Sequence, residues 1–267
     1  IIMNDIRKLF DDMWTTYCKV NRHVEEVKEY MKAHEEGDVK NDHIALRTFN
    51  HPRINRHVIA RSFVECGYTA VEDLKFDKKK LDATYYSHPD DDLTRVFISE
   101  LRLEEFSPEL QGVINRLVDE IPNKAIEQFD FCNSGVPWSM ITFDTYEKLK
   151  EESEYAAWVA TFGFIVNHFT ISITDMKSFD HMFQVNRFIK ENNFVINDSG
   201  GEVKGSPEQG LEQSSIMARD VDVQFAPEDS EIKKIPGCYY EFALRYNNFD
   251  GFIAGSADKI FESTDNK

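Results

Sequence analysis

Asn41-Asp42-His43-Ile44-Ala45-Leu46-Arg47-Thr48-Phe49 is the stretch on which the fold turns, because the period of the chain changes there. Upstream, apolar residues recur every three or four positions. Ile6, Leu9, Phe10, Met13, Trp14 and Tyr17 form one stripe, and Val24, Val27, Tyr30 and Met31 form another. Such stripes predict two amphipathic helices over 3–33, closed by Glu35–Asp38. From His43 the composition is that of a strand, with His43, Ala45 and Arg47 on one face and Ile44, Leu46 and Thr48 on the other. Asn50-His51-Pro52 then reads as a turn. Residues 55–66 have helical spacing and stop at Gly67. Residues 68–76, 83–87 and 96–103 read as strands, with Asp90-Asp91-Asp92 as a solvated turn. The unit is strand, helix, then three strands.

The same order restarts at His168, 125 residues beyond His43. A strand over 169–173 precedes a helix over 175–192, with Phe179, Met182, Phe183 and Phe188 on its apolar side. Strands are expected over 194–197, 211–218, 221–225 and 239–246. Between the two units, Ser107-Pro108 opens a helix running to about Ile121, and 144–161 reads as one further helix. The chain therefore divides as one domain: N-terminal helices 1–40, a first βαβββ-type module 41–103, a helical insert 104–160, a second module 161–250 and a tail 251–267. The expected class is α+β, with two modules closing one curved mixed sheet and helices outside it.

The 267 residues carry 31 Lys and Arg against 48 Asp and Glu, a net charge of −17. That balance argues against nucleic acid and against an anionic membrane as partners. An apolar fraction of 41%, with 21 Phe, is enough for a packed core. No run of 18 apolar residues is present, and the first residues do not read as a secretory signal. Cys18, Cys66, Cys132 and Cys238 are scattered, without CxxC, as in a reduced, cytoplasmic protein. No interface signature sets an oligomeric state.

Three strand faces carry the chemistry. His43 shares its face with Ala45 and Arg47, His168 with Thr170 and Ser172, and Glu241 with Tyr239, Ala243 and Arg245. If the strands meet in one sheet, that face lines a cavity. Two imidazoles and one carboxylate suit a divalent metal and leave three octahedral positions open, as non-haem Fe(II) oxygenases require. Hydrogen-bonded core histidines would produce the same pattern. Arg47 lies roughly 13 Å along the strand from His43. It suits bidentate binding of a carboxylate, or an ion pair with a neighbouring acid. Glu100, read as the first module's counterpart of Glu241, is a candidate fourth ligand, which would make a glyoxalase-like site for a lyase, isomerase or hydrolase. Otherwise it pairs with Arg47 or Arg102. Gly200–Pro207 reads as a loop without a phosphate-binding pattern. Gln213, Ser214 and Ser215 follow it and either position polar groups of a substrate or simply bond within the sheet. No GxSxG is present.

Five blocks in order, NDHIALRTF (Asn41–Phe49), VNHFTI (Val166–Ile171), GSPEQGLEQSS (Gly205–Ser215), YYEFALR (Tyr239–Arg245) and GFIAGSADKIFEST (Gly251–Thr264), resemble the 2-oxoadipate dioxygenase/decarboxylase family. The resemblance spans nearly the whole chain. It implies a fold related to the vicinal oxygen chelate enzymes. It implies Fe(II), or another divalent metal in purified protein, held by His43, His168 and Glu241, with Arg47 on the substrate carboxylate. It implies conversion of 2-oxoadipate and O2 to 2-hydroxyglutarate and CO2, a step of lysine catabolism. The chain looks like a compact subgroup of that family.

Overall fold

The computed structural model of the chain describes residues 2–262, and the side chains from residue 5 onward. Helices α1 (Ile2–Val20) and α2 (His23–Glu35) lead into β1 (Asn41–Phe49), α3 (Arg56–Glu65), β2 (Thr69–Phe76), β3 (Leu81–Ser87) and β4 (Arg95–Leu101). Helices α4 (Pro108–Asp119), α5 (Asn123–Ile126), α6 (Phe143–Glu152) and α7 (Glu154–Phe162) follow. The chain then forms β5 (His168–Ser172), α8 (Met182–Glu191), β6 (Lys204–Ser206), β7 (Leu211–Ser215), β8 (Asp220–Val223), β9 (Lys233–Pro236), β10 (Tyr239–Arg245) and α9 (Ala254–Phe261). Ser263-Thr264, the end of the last resembling block, lies outside the described residues.

The main sheet has eight strands in the order β2-β3-β4-β1-β5-β10-β7-β6. Each half is built alike. β1 pairs with β4 in parallel, β5 pairs with β10 in parallel, and β1 and β5 join antiparallel at the centre. The outer face packs under helices. Trp14 of α1 stands edge-on to Phe169 at 5.0 Å, and Tyr17 donates to the Tyr239 carbonyl. The inner face is covered by Tyr155 and Trp158 of α7, by Phe252 and by Phe261 of α9.

Local chemistry sets the element ends, and several differ from expectation. Ser153 is extended (φ −156°, ψ 109°) and its side chain accepts from the Ala156 amide at 3.0 Å. It thus ends α6 and caps α7, where a single helix over 144–161 was expected. The helix expected from 175 begins only at Met182, because Glu35 of α2 takes the Lys177 and Ser178 amides at 2.8 and 3.0 Å. Phe179 is buried beside His34, whereas Phe183 is exposed. The strand expected over 194–197 is reduced to one bridge, Ile196 to Ile216. The strand expected over 221–225 leaves the main sheet and pairs as β8 with β9. β6 lies in the stretch read as a loop. Gly205 permits it, since at φ +83° a Cβ there would sit 2.0 Å from the Leu211 carbonyl oxygen. The tail expected from 251 includes α9, which touches both β2 and β6, the two outermost strands of the sheet. No helix among the described residues is long and apolar enough to cross a membrane.

His23, at the start of α2, is buried, and its Nε2 has no hydrogen-bond partner. Burial, helped by the Arg219 cation, lowers its pKa from 6.5 to about 4. The unfolded chain therefore takes up this proton first on acidification. Stability is full above pH 6.5 and is lost as pH falls toward 4, by on the order of 3 kcal/mol. Urea unfolding from pH 4 to 7.5 should show this loss in the native chain. The loss should be smaller by that amount in His23→Gln.

Candidate metal centre

His43, His168 and Glu241 come from three adjacent strands, β1, β5 and β10, and all three are buried. Register brings them together. His43 stands opposite Thr170, His168 opposite Tyr239, and Glu241 opposite Thr170. Their ligand atoms lie within 4.8 Å of one another. His43 Nε2 is 3.4 Å from Glu241 Oε1, and His168 Nε2 is 2.9 Å from Oε2.

The protons of both imidazoles are committed elsewhere. His43 Nδ1 donates to Asp42 Oδ2 at 2.8 Å, and His168 Nδ1 to Asn167 Oδ1 at 3.0 Å. In the neutral rings each Nε2 is then a lone pair aimed at a carboxylate oxygen. Those groups repel unless a cation lies between them. Hydrogen-bonded Nδ1–H groups are also what orient metal-binding histidines. The donor set fits a divalent ion: two nitrogens, one anionic oxygen, and both imidazole protons held by outer partners. Thr170 Oγ1 lies 3.1 Å from His43 Nε2.

Electrostatics keep the set in its binding form. Burial alone would raise the Glu241 carboxyl; positive charge on the side of His43 and His168, on the rings or on an ion they hold, and the Gln213 amide hold it below its ordinary value. Gln213 Nε2 donates to Glu241 Oε1 at 2.5 Å. Burial lowers the His168 pKa and outweighs the opposing pull of Glu241, with His43 and Arg47 adding to the lowering. Burial would likewise raise Asp42. Its hydrogen bond from His43 and the Arg245 guanidinium, whose Nε and Nη2 lie 2.8 and 3.1 Å from it, hold it well below the carboxylate range.

Arg47 is buried on the same face of β1. Its guanidinium lies over the rings of Tyr155, Trp158 and Phe261 at 4.9, 5.1 and 5.7 Å. It also sits beside the Tyr239 hydroxyl, and the Tyr239 ring stacks on His168 at 4.5 Å. Arg47 therefore borders the triad through one aromatic ring. Ser215 pairs with Glu241 in register and Gln213 with Ala243, so both lie on the sheet face that carries Glu241. Ser214 faces away, toward Met182 Sδ at 3.3 Å.

Glu100 is not brought to the cluster. It pairs in register with Thr48, which places it on the opposite face, and its carboxylate binds the Arg56 side chain and amide. Neither Arg47 nor Arg102 is that partner. The counterpart of Glu241 in the first half is Phe97, which stands to Ala45 of β1 as Glu241 stands to Thr170 of β5. Sequence reasoning passed over Asp42, Asn167 and Arg245. A signal existed, since each histidine is preceded directly by an Asx residue.

Asp42→Asn keeps a polar side chain beside His43 but removes the charge that fixes its Nδ1–H. Metal affinity should fall by about 10–100-fold, measured by competition with a coloured chelator, while Ser214→Ala on the other face should leave it unchanged.

A family model described as 2-oxoadipate dioxygenase/decarboxylase matches residues 4–248. The chloroplastic 2-oxoadipate dioxygenase/decarboxylase of Arabidopsis thaliana is 34% identical over 287 aligned positions, covering 97% of this chain and 77% of the relative. The crystal structure of hydroxyglutarate synthase from Oryza sativa, in complex with 2-oxoadipate, matches at 31% identity with TM-score 0.91, covering 99% of this chain and 93% of that one. A protein of Shewanella frigidimarina NCIMB 400, named provisionally as a hydrolase, matches at 44% identity and TM-score 0.86, covering 93% and 98%. A glyoxalase-superfamily protein of Ralstonia eutropha JMP134, at 22% identity and TM-score 0.74 over 92% and 85%, shares the fold. The curled mixed sheet is thus of the vicinal oxygen chelate kind, and the chain belongs to the 2-oxoadipate dioxygenase/decarboxylase family.

Proposed function

We propose that this chain is a non-haem Fe(II) dioxygenase/decarboxylase of a 2-oxo dicarboxylic acid. Its leading substrate is 2-oxoadipate, converted with O2 to 2-hydroxyglutarate and CO2. The observation that carries the reading is the convergence of two imidazole nitrogens and the Glu241 carboxylate within 4.8 Å. It is joined by Arg47 on the same face of β1. When bound, Fe(II) would supply a chelation site for the 2-oxo acid and activation of O2 at positions the protein leaves open.

The residues of the chain do the rest. His43, His168 and Glu241 hold the ion, and Gln213 fixes the Glu241 carboxylate through its amide. Arg47 takes the distal carboxylate of the substrate, with Tyr239 as a spacer between that end and His168. Gln213 Oε1, buried without a hydrogen-bond partner, and Ser215 offer polar contacts to the substrate. Phe97, Phe252 and Phe261 form an apolar wall that excludes water from the reacting centre. A four-ligand lyase or hydrolase is the weaker reading, because Glu100 is already bound to Arg56. A reducing compartment such as the cytoplasm fits four free, buried cysteines.

Anaerobic loading with Fe(II), followed by 2-oxoadipate and O2, should give oxygen uptake with equal amounts of CO2 and 2-hydroxyglutarate. Arg47→Ala should lower kcat/KM by about 100-fold or more, since misplacing the substrate raises the barrier as well as weakening binding. No oxygen uptake with any 2-oxo acid of four to seven carbons would sink the oxygenase reading.

A further inference from the structure

Arg245, the last residue of β10, is buried and makes polar contacts in two directions. Toward β1 it forks onto the carboxylate of Asp42, with Nε 2.8 Å from Oδ1 and Nη2 3.1 Å from Oδ2. Oδ2 is the atom that accepts from His43 Nδ1. On its other side, Nη1 donates to the carbonyls of Phe249 and Gly251 at 3.2 and 2.7 Å. Those carbonyls belong to the turn after β10. Asn247 and Asn248 stand there at φ 53° and 57°, a region that few residues other than glycine and asparagine enter readily. Phe252 follows the turn. The guanidinium lies over its ring at 5.2 Å, and the ring stands edge-on to His43 at 4.8 Å. Arg95 adds a second, looser link, since it lies 3.5 Å from Asp42 Oδ1 and also binds Asp250 of the turn. One guanidinium thus holds both the carboxylate that orients His43 and the turn that sets Phe252 against the same ring.

We propose that Arg245 is a positioning residue of the metal centre, coupling the grip of His43 on the ion to the order of residues 246–252. The proposal rests on the reading of His43, His168 and Glu241 as ligands of a divalent ion, and not on the reaction carried out there. A point charge could neutralise Asp42. Only a planar fork holds both carboxylate oxygens in fixed places and leaves a third nitrogen for the turn. Outer partners of ligating histidines govern metal affinity because they set the direction of the ring. An ion on Nε2 would fix the His43 ring, and the fixed ring would hold Asp42 and Phe252, the two groups that Arg245 joins. Order at one end then favours order at the other, and the dependence is reciprocal.

The test uses Co(II) under argon as the probe. Affinity comes from chelator competition, coordination from the visible spectrum of the bound ion, and order from hydrogen exchange. In the native protein, Co(II) should slow exchange in residues 246–253. Arg245→Gln should weaken binding by about 10–100-fold, change the spectrum and abolish that slowing. Because Arg245 acts through Asp42, the D42N/R245Q pair should bind no more weakly than the weaker single variant. R245K keeps the charge without the fork, so it should recover affinity but not the slowing. Arg56→Gln breaks the ion pair of buried Glu100 on the opposite face of the sheet. It should lower Tm and leave affinity and spectrum as they are. Native affinity and spectrum in R245Q, additive losses in the double variant, or native exchange that ignores Co(II) would each overturn the proposal. An equal loss of affinity in R56Q would do so too, by making the effect one of general destabilisation. If R245Q does not fold, R245K and the exchange of the native protein decide the matter. No Co(II) binding by the native protein would overturn the proposal together with the metal centre. The expected coupling without oxygen uptake after Fe(II) loading would leave the proposal standing and remove the oxygenase reading alone.

Discussion

The buried carboxylate of Glu241, bracketed by the Nε2 atoms of two imidazoles whose Nδ1 atoms are hydrogen-bonded elsewhere, is the constraint on which the site depends. A carboxylate taken out of water costs several kcal/mol unless it is matched by charge and hydrogen bonds. Here one donor is in place, the Gln213 amide at 2.5 Å. The imidazoles would ordinarily complete the set by donating. They do not, because Asp42 and Asn167 draw their protons to the far side of each ring. The cluster is therefore arranged to take a positive charge at its centre. Arg245 in turn neutralises Asp42, and its Nη1 also reaches the Gly251 carbonyl at 2.7 Å. The ring orientation of His43 is thereby tied to the segment that leads into α9.

This arrangement explains how so acidic a chain can hold an anionic ligand. The excess acid sits mainly outside. Glu147 and Glu151 of α6, for example, are exposed, and Glu109 of α4 is as well. Two of the acids that enter the interior have a cation, Asp42 with Arg245 and Glu100 with Arg56, and Glu241 has the Gln213 amide as donor. Arg47 is enclosed by rings of low polarity, where a charge acts over a longer range than it would in water. The global charge then governs solubility, while a few buried cations govern the site.

What could be read from sequence follows from which structural rule is local. Alternation along a strand is local, so the shared faces of His43 with Arg47 and of His168 with Thr170 were legible before any tertiary information. Register between strands is not local. Glu100 looked like a partner of Glu241 because both are carboxylates on a strand after a histidine, yet one position along β4 decides which face a residue takes. Asp42 was hidden for a related reason. Simple alternation would put it opposite His43, but the β1–β5 register shifts between Asn41 and His43. Asn167 precedes β5, where alternation says nothing. Ser153 and the 176–181 segment were missed because helical composition continues across them while the backbone is claimed by a cap or by Glu35.

The near-duplication of the sheet makes its one departure informative. With two equivalent halves, a fully symmetric site would carry a histidine and a carboxylate from each. The histidines obey that symmetry, since His43 and His168 hold equivalent positions on β1 and β5. The carboxylates do not, because Phe97 stands where Glu241 would require a partner. Its ring packs 5.2 Å from Phe252, which itself lies edge-on to His43 at 4.8 Å. One side of the cluster thus has donors from three strands, and the other has phenyl rings. A second carboxylate, as fourth ligand, would add charge to the ion and fill a position on it. A phenyl ring does neither, and it keeps water away without binding the metal. The same departure that breaks the symmetry of the fold therefore leaves the side toward Phe97 without a protein ligand, and in the proposed reading that is the side a chelating acid would take, with its far end toward Arg47 along β1.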